Sequence, residues 1–495
     1  MYSLTKEEFI NLSNDYNLIP IYKEIIADLE TPVSAFAKID GDGSYSFLLE
    51  SVTGGDTWGR YTILGSNPSL IYKYKNNIVT IVENGVTKTH RTSADPLDEL
   101  KVIMSTRKLA KIDGLPRFIG GAVGFLAYDA IRYFEELDDD LDDNLDTPDA
   151  LYIITDSIII FDNFTNKIKI VNCQFTESKT PSDAYDEAIE KIEQLLSKLS
   201  SPIITEPIKP KNYIKPDHEF LTSKENFLAN VERAKEYIRA GDIFQVVLSQ
   251  RAKINISSSP FTIYRALRLI NPSPYMYYLN FGNLQIVGAS PETLVRLEGR
   301  QITARPIAGT RARGRNDVED QHLTTELLAD EKEAAEHVML VDLGRNDVGR
   351  VAKAGSVEVN KFRFVEYYSH VMHIVSNIQG TIHDKFDAFD LLKVCFPVGT
   401  LTGAPKIRAM EIIDELETFR RGLYGGTVGY FSFSGGLDSA VAIRTLQIKD
   451  GVAMLQAGAG IVADSIPANE LQESVNKANA LMKAIELAEN QLIFS

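Results

Sequence analysis

Between Ser197 and Asp217 the chain reads SKLSSPIITEPIKPKNYIKPD, with four prolines and neither the two-residue period of a strand nor the 3.6-residue period of a helix. Proline fixes φ and removes a backbone donor, so no helix or central strand can run through such a segment. It reads as a connector over 197–217, and any fold must be assembled from the residues on its two sides. On the first side, YSFLLESV, LIYKYK, IVTIV and ALYIITDSIIIF are strand-like runs interrupted by GGAVGFLAYD, which makes this half sheet-rich. On the second, helical patterns (KENFLANVERAKEYIRAGD, DEKEAAEHVMLVDLG, ANELQESVNKANALMKAIELAEN) alternate with strands (IFQVVLSQR, MYYLNFG, LQIVGAS, GGTVGYFSF). The whole reads as an α/β (α+β) protein.

Sixty-eight acidic residues against 52 Lys and Arg leave a net charge of −16, a field that repels polyanions and speaks against a nucleic-acid partner. The start is polar, and no apolar run reaches the length of a signal or a membrane span, so a cytoplasmic protein with no membrane partner is expected. Two cysteines, Cys173 and Cys395, are too few for a disulfide framework, and neither sits in a Gly-x-Cys-x-Gly elbow. Both read as core residues. IDGDGSYSFLLES opens like a calcium loop, but Tyr45 and Ser51 stand where Gly and Glu are required, leaving a turn before a strand. The acidic run Glu135 to Asn144 reads as a solvated loop.

SGGLDS, within FSFSGGLDSAVAIRTL, matches the loop with which ATP pyrophosphatases hold a diphosphate. The competing reading is a hairpin, with GYFSF and AVAIRTLQI as strands and SGGL as the turn. On such a second strand Ala440, Ala442 and Arg444 would share a face.

Two helical segments carry carboxylates at i, i+3: Glu333 with Glu336, and Glu470 with Glu473. That spacing puts each pair on one helix face, where it is either solvated or, if the helices face each other, part of an oxygen-rich Mg²⁺ site. Lys477, at i+4 from Glu473, shares that face and suits an anion beside the metal. Gly458 and Gly460 of QAGAGIVADSIPANE leave backbone N–H groups approachable by a carboxylate, or mark a bulge. His373 shares a strand face with His370 only if a bulge intervenes, because the two are an odd number apart.

In order along the chain, LLES, NPSPYMYYL, SPETL, PIAGTRARG, DEKEAAEHVMLVDLGRND, VMHIVS, FPVGTLTGAPKIRAMEII, YGGTVGYFSF, AIRT and QAGAGIVADSIPANE resemble the chorismate-utilising enzyme family, in its anthranilate-forming component I branch. The resemblance implies a large antiparallel β-sandwich surrounded by helices, with an N-terminal domain over 20–168 and a chorismate-binding catalytic domain over 222–480. It implies that Glu336 and Glu473 ligate Mg²⁺ directly, and that Glu333 and Glu470 act through its waters. The ring carboxylate of chorismate then meets the metal, the N–H groups of Gly458, Ala459 and Gly460, and Lys477. Tyr424 and Arg444 take the enolpyruvyl carboxylate, while Gly309, Thr310 and Thr400 line the ring. Glu292, His373 and Thr400 make up the catalytic set: Glu292 protonates the departing C4 hydroxyl, and His373 assists loss of pyruvate as base or by orienting the intermediate. Ser51 with Pro274, Tyr275 and Met276 forms a pocket for tryptophan as inhibitor.

Family members that make isochorismate or salicylate carry Lys where this chain has Gln245, and aminodeoxychorismate synthases carry Lys where it has Ala308. Gln and Ala leave that face of the ring to external ammonia. The expected reaction is chorismate plus ammonia to anthranilate plus pyruvate, with aminodeoxychorismate formation as the alternative. Without a glutaminase cysteine, the chain is expected to take ammonia from a separate glutamine amidotransferase subunit in a hetero-oligomer.

Overall fold

The computed structural model describes residues 2–41, 45–51, 59–138, 141–177, 179–203, 215–368 and 371–490. Most of the connector, residues 204–214, lies outside them, as do His370, residues 42–44 of the calcium-like loop and residues 139–140 of the acidic run.

Two twelve-stranded sheets, antiparallel at every strand pairing, face each other. Each is shared by both sides of the connector. Tyr45–Glu50 pairs with Tyr275–Phe281, and Gly121–Leu126 pairs with Thr427–Ser432. The two sides are therefore interleaved within common sheets. Side chains alternate along the strands as the pleat requires. Along Tyr275–Phe281, for example, Tyr277, Leu279 and Phe281 point into the core between the sheets, where Phe47, Phe125 and Val428 meet them. Met276 and Tyr278 point outward into a second core under the helices Pro260–Ile270 and Pro467–Glu489. The other sheet is backed by a third core, with Val341 and Val348 of the helix Glu331–Gly349 and Leu391 and Leu392 of the helix Ala388–Cys395. The layers are helix, sheet, sheet, helix, and this is the helix-wrapped antiparallel sandwich that the motifs imply. Among the described residues no helix is long and apolar enough to cross a membrane.

Two sequence expectations need correction. GGAVGFLAYD does not interrupt the sheet: Gly121–Leu126 is a strand buried at every position, between Ala150–Thr155 and Thr427–Ser432. Its glycines serve close approach, since a Cβ on Gly124 would sit 1.9 Å from the Leu151 carbonyl oxygen. Gly124→Ala is accordingly expected to cost about 3 kcal/mol by overpacking. A urea midpoint equal to that of the parent would contradict the strand assignment.

The second correction concerns AVAIRTLQI. The hairpin reading of SGGLDS holds, with Phe431 paired to Leu437 and Gly435 at φ +83° in the turn. Asp438 is buried in the second strand and ion-paired to Arg296 and Arg117, so it is not part of a phosphate cradle. That strand, Leu437–Val441, ends before Ala442, and the chain passes to the other sheet to form Thr445–Lys449. Arg444 lies in the crossing with φ +52°, so Ala440, Ala442 and Arg444 do not line one strand face.

Candidate active site

A second crossing lies beside the first. Leu284–Ser290 belongs to one sheet and Thr293–Glu298 to the other, and Pro291 and Glu292 form the passage between them. The two crossings are tied by Val441 N–H donating to the Glu292 carbonyl and Ala289 N–H donating to the Arg444 carbonyl, each at 3.0 Å. Glu292 and Arg444, distant in sequence, are thereby fixed at the seam where the sheets part.

Glu292 is 6% exposed, and its Oε1 accepts from Thr400 Oγ1 at 2.7 Å. Burial pushes its carboxyl up to about 7, against the smaller opposing effects of the Thr400 hydroxyl and the Lys477 charge. Thr400 is steadied by Arg421, which is buried and bonds the Leu401 and Val247 carbonyls while pairing with Glu417. A cleft borders Glu292 and Thr400, with Arg305, Leu340 and Asp347 among its walls.

His373, on the strand Val371–Thr381, faces Thr310 across the sheet. Its Nδ1 lies 3.0 Å from Thr310 Oγ1 and 3.2 Å from the Gly309 carbonyl oxygen. A carbonyl only accepts, so that contact places the proton on Nδ1 and leaves Nε2 as a basic lone pair. Burial holds the imidazole pKa below its usual value. The Tyr368 ring stands edge-on to His373 at 5.4 Å, with its hydroxyl on Glu366, which in turn pairs with Arg305.

The helix Glu331–Gly349 is capped by Asp330, whose side chain accepts from the N–H groups of Lys332 and Glu333. Arg311 bridges Asp330 at 2.8 Å and Glu333 at 3.3 Å. Gln245, on the opposite sheet, donates Nε2 to Glu336 Oε1 at 3.0 Å. From the second helix Lys477 reaches Glu473 at 2.7 Å and donates to the Gly458 carbonyl at 3.0 Å, while Arg444 donates to the Lys477 carbonyl at 2.9 Å. Gln245 lies between Glu336 of the first helix and Gly460, two residues from the Gly458 carbonyl that Lys477 of the second helix bonds, so the helices face each other over the seam.

The glycines of Val452–Ile461 have a geometric reason. A Cβ on Gly458 would lie 2.4 Å from the Leu248 carbonyl oxygen, and one on Gly460 would lie 2.4 Å from Gln245 Nε2. On the other edge, the strand Thr445–Lys449 pairs only as far as Leu455. From Ala457 onward that edge has no strand partner among the described residues, and on it the Gly458 carbonyl accepts from Lys477.

The structure thus gathers Glu292, Thr400, Gly309, Thr310, His373, Tyr424, Arg444, Gly458, Ala459, Gly460, Lys477 and the four glutamates around one seam. Tyr424, 9% exposed, stands near Arg444 and Glu292. Ser51 and Pro274 to Met276 lie apart from that group. Met276 pairs with Glu50, and continuing the register sets Ser51 opposite Tyr275. Met276 is packed in the helix-backed core, and the Tyr275 hydroxyl donates to Asp438 at 2.8 Å. Arg305, Arg311, Glu366 and Tyr368 escape a sequence reading because nothing in their spacing marks them, although Arg311 lies inside PIAGTRARG.

Carboxylate oxygens are the ligand chemistry of a hard dication. Burial, followed by the neighbouring Glu336, raises the Glu333 carboxyl; burial raises Glu470 as well, with Glu473 adding to it. Such mutual repulsion is what a bound cation offsets, so the donor set fits Mg²⁺ in kind. Among the described residues no three His, Cys, Asp or Glu stand clustered for a metal; Gln245, Arg311 and Lys477 are bonded to Glu336, Glu333 and Glu473.

The chorismate binding enzyme family model matches residues 51–483, and the chain belongs to that family. Anthranilate synthase component 1 of Acetivibrio thermocellus is 49% identical over 99% of both chains, and that of Aquifex aeolicus is 48% identical over 98% of both. The crystal structure of anthranilate synthase component I from Streptococcus pneumoniae superposes with a TM-score of 0.76 at 39% identity, over 92% of this chain and 99% of the other. The menaquinone-specific isochorismate synthase of Escherichia coli, at 21% identity and TM-score 0.69 over 96% of this chain and 98% of the other, shares the fold.

Proposed function

We propose that the chain converts chorismate and ammonia to anthranilate and pyruvate, as the large subunit of an anthranilate synthase. The observation that carries this reading is Gln245. It stands at the seam between Glu336 and Gly460 with an amide in place of an amine base, so the nucleophile must arrive from outside.

In the reaction, Glu292 donates its proton to the C4 hydroxyl, which leaves as water while ammonia forms a bond to C2 and then sheds a proton. Thr400 keeps the Glu292 carboxyl aimed. Arg444 and Tyr424 bind the enolpyruvyl carboxylate, and Gly309 and Thr310 line the ring. The N–H groups of Gly458, Ala459 and Gly460, with Lys477, take the ring carboxylate. His373 Nε2 then removes the C2 proton; the C3–O bond breaks, the ring becomes aromatic, and the enolpyruvate that leaves takes up a proton on its methylene carbon to become pyruvate. Glu336 and Glu473 would hold Mg²⁺, backed by Glu333 and Glu470, and the ion would supply positive charge to bind and polarise the ring carboxylate.

Supplied with chorismate, Mg²⁺ and ammonium, the chain should release anthranilate and pyruvate in equal amounts. Aminodeoxychorismate without pyruvate would establish the alternative. His373→Ala is expected to accumulate aminodeoxyisochorismate, detectable by mass; undiminished anthranilate output would remove His373 from the second step.

Glutamine-dependent turnover would come from a separate amidotransferase subunit, because Cys173 and Cys395 are both buried and burial raises both thiols. Tryptophan would bind at Ser51, Pro274, Tyr275 and Met276. The Tyr275 hydroxyl also lies 3.1 Å from Thr293, the neighbour of Glu292, so occupancy there could disfavour chorismate binding. Tryptophan should raise the apparent KM for chorismate, and Ser51→Phe should relieve inhibition while ammonia-dependent turnover persists. Inhibition unaltered by Ser51→Phe would place the pocket elsewhere.

A further inference from the structure

His337 follows Glu336 on the helix Glu331–Gly349 and lies one turn beyond Glu333, yet it points away from the seam. It is fully buried, and it is the first buried residue of its helix: Glu331 to Glu336 contribute none, and the next are Leu340, Val341 and Val348. The packing of the turn that carries both carboxylates is thus decided at His337. Its Nε2 lies 2.6 Å from Ser376 Oγ, also fully buried, on the strand Val371–Thr381. Ser376 Oγ also accepts the Arg363 N–H at 3.0 Å, and its second lone pair and its proton are both open to the imidazole. Arg363 sits at φ +50° within a strand irregularity and donates its guanidinium to the Leu328 carbonyl at 2.6 Å, just ahead of the Asp330 cap. The hydrogen bonds link the helix, the strand and the end of the preceding helix Asp317–Ala329. Ser376 and His373 are an odd number apart on an unbroken strand, so the strand grips the helix with one face and presents His373 on the other.

We propose that His337 and Ser376 are positioning residues that fix Glu333 and Glu336 for cation binding and hold them in register with His373. This rests on the reading of those glutamates as metal-holding residues. Partners one step removed from a metal commonly change its affinity by about 10–100-fold when lost.

The test uses the full chain with chorismate and no ammonia, and reads Mn²⁺ binding from the loss of the free-ion EPR signal. His337→Leu and Ser376→Ala should each weaken Mn²⁺ binding about tenfold. His337→Gln, whose amide can either accept from or donate to Ser376, should recover most of it. Val341→Ala removes a buried contact of the same helix outside this network and should leave Mn²⁺ affinity unchanged. Unaltered affinity in whichever of the first two variants folds would overturn the proposal, as would equal weakening by Val341→Ala, which would mark a general packing effect. Absence of Mn²⁺ binding by the parent chain would overturn the metal reading itself, and this proposal with it.

Discussion

Glu336→Gln and Glu473→Gln are each expected to lower turnover by about 10³-fold, corresponding to ~4 kcal/mol, with the fold retained. Neither side chain belongs to a hydrophobic core: Glu473 is 49% exposed at its side chain, and Glu336 contacts Gln245. Removing one charge keeps the shape, and an amide oxygen can still face the seam. On the proposed function, a dication that meets an anionic substrate would lose half of its direct carboxylate set, and the affinities for metal and chorismate would fall together. The measurement is turnover across a Mg²⁺ titration, with melting temperature as the control. Near-parental turnover at limiting Mg²⁺ in either variant would contradict the assignment.

The second large effect belongs to Glu292. As the acid of the proposed mechanism Glu292 must carry its proton, and burial raises its carboxyl to about 7, so the protonated form predominates below that value and is lost as pH rises through it. Lys477 and the Thr400 hydroxyl oppose the shift, and the tyrosines 368 and 424 stand nearby with their own pKa values raised mainly by burial. Expressed per concentration of un-ionised ammonia, kcat/KM should fall above pH ~7, following the Glu292 carboxyl. Glu292→Gln should lower it by about 10²–10⁴-fold and abolish that limb. A limb that survives in the Gln variant would belong to another group.

Much of the site is legible in the sequence because helix geometry is local. The i, i+3 glutamates and Lys477 at i+4 need only the 3.6-residue period to share a face, and the fold puts them there. The seam is not legible in that way. AVAIRTLQI has the composition of one strand, and only pairing to two different sheets breaks it at Ala442 to Arg444. GGAVGFLAYD reads as an interruption because glycine disfavours strands, whereas here glycine is what lets neighbouring strands approach. The connector divides the chain in sequence but not in space, since Tyr45–Glu50 finds its partner far beyond it. Local propensity carries no information about such distant pairings. Tyr368, Glu366 and Arg305 become a network around His373 only once three strand segments are set side by side.

The measurement that bears most directly on the account is continuous anthranilate fluorescence from the purified chain alone, given chorismate, Mg²⁺ and ammonium. The expected result is fluorescence that grows without any partner subunit, stops when a chelator removes the metal and resumes when Mg²⁺ is restored. Chorismate left unconsumed under these conditions, or converted to a non-fluorescent isomer of the same mass, would contradict it.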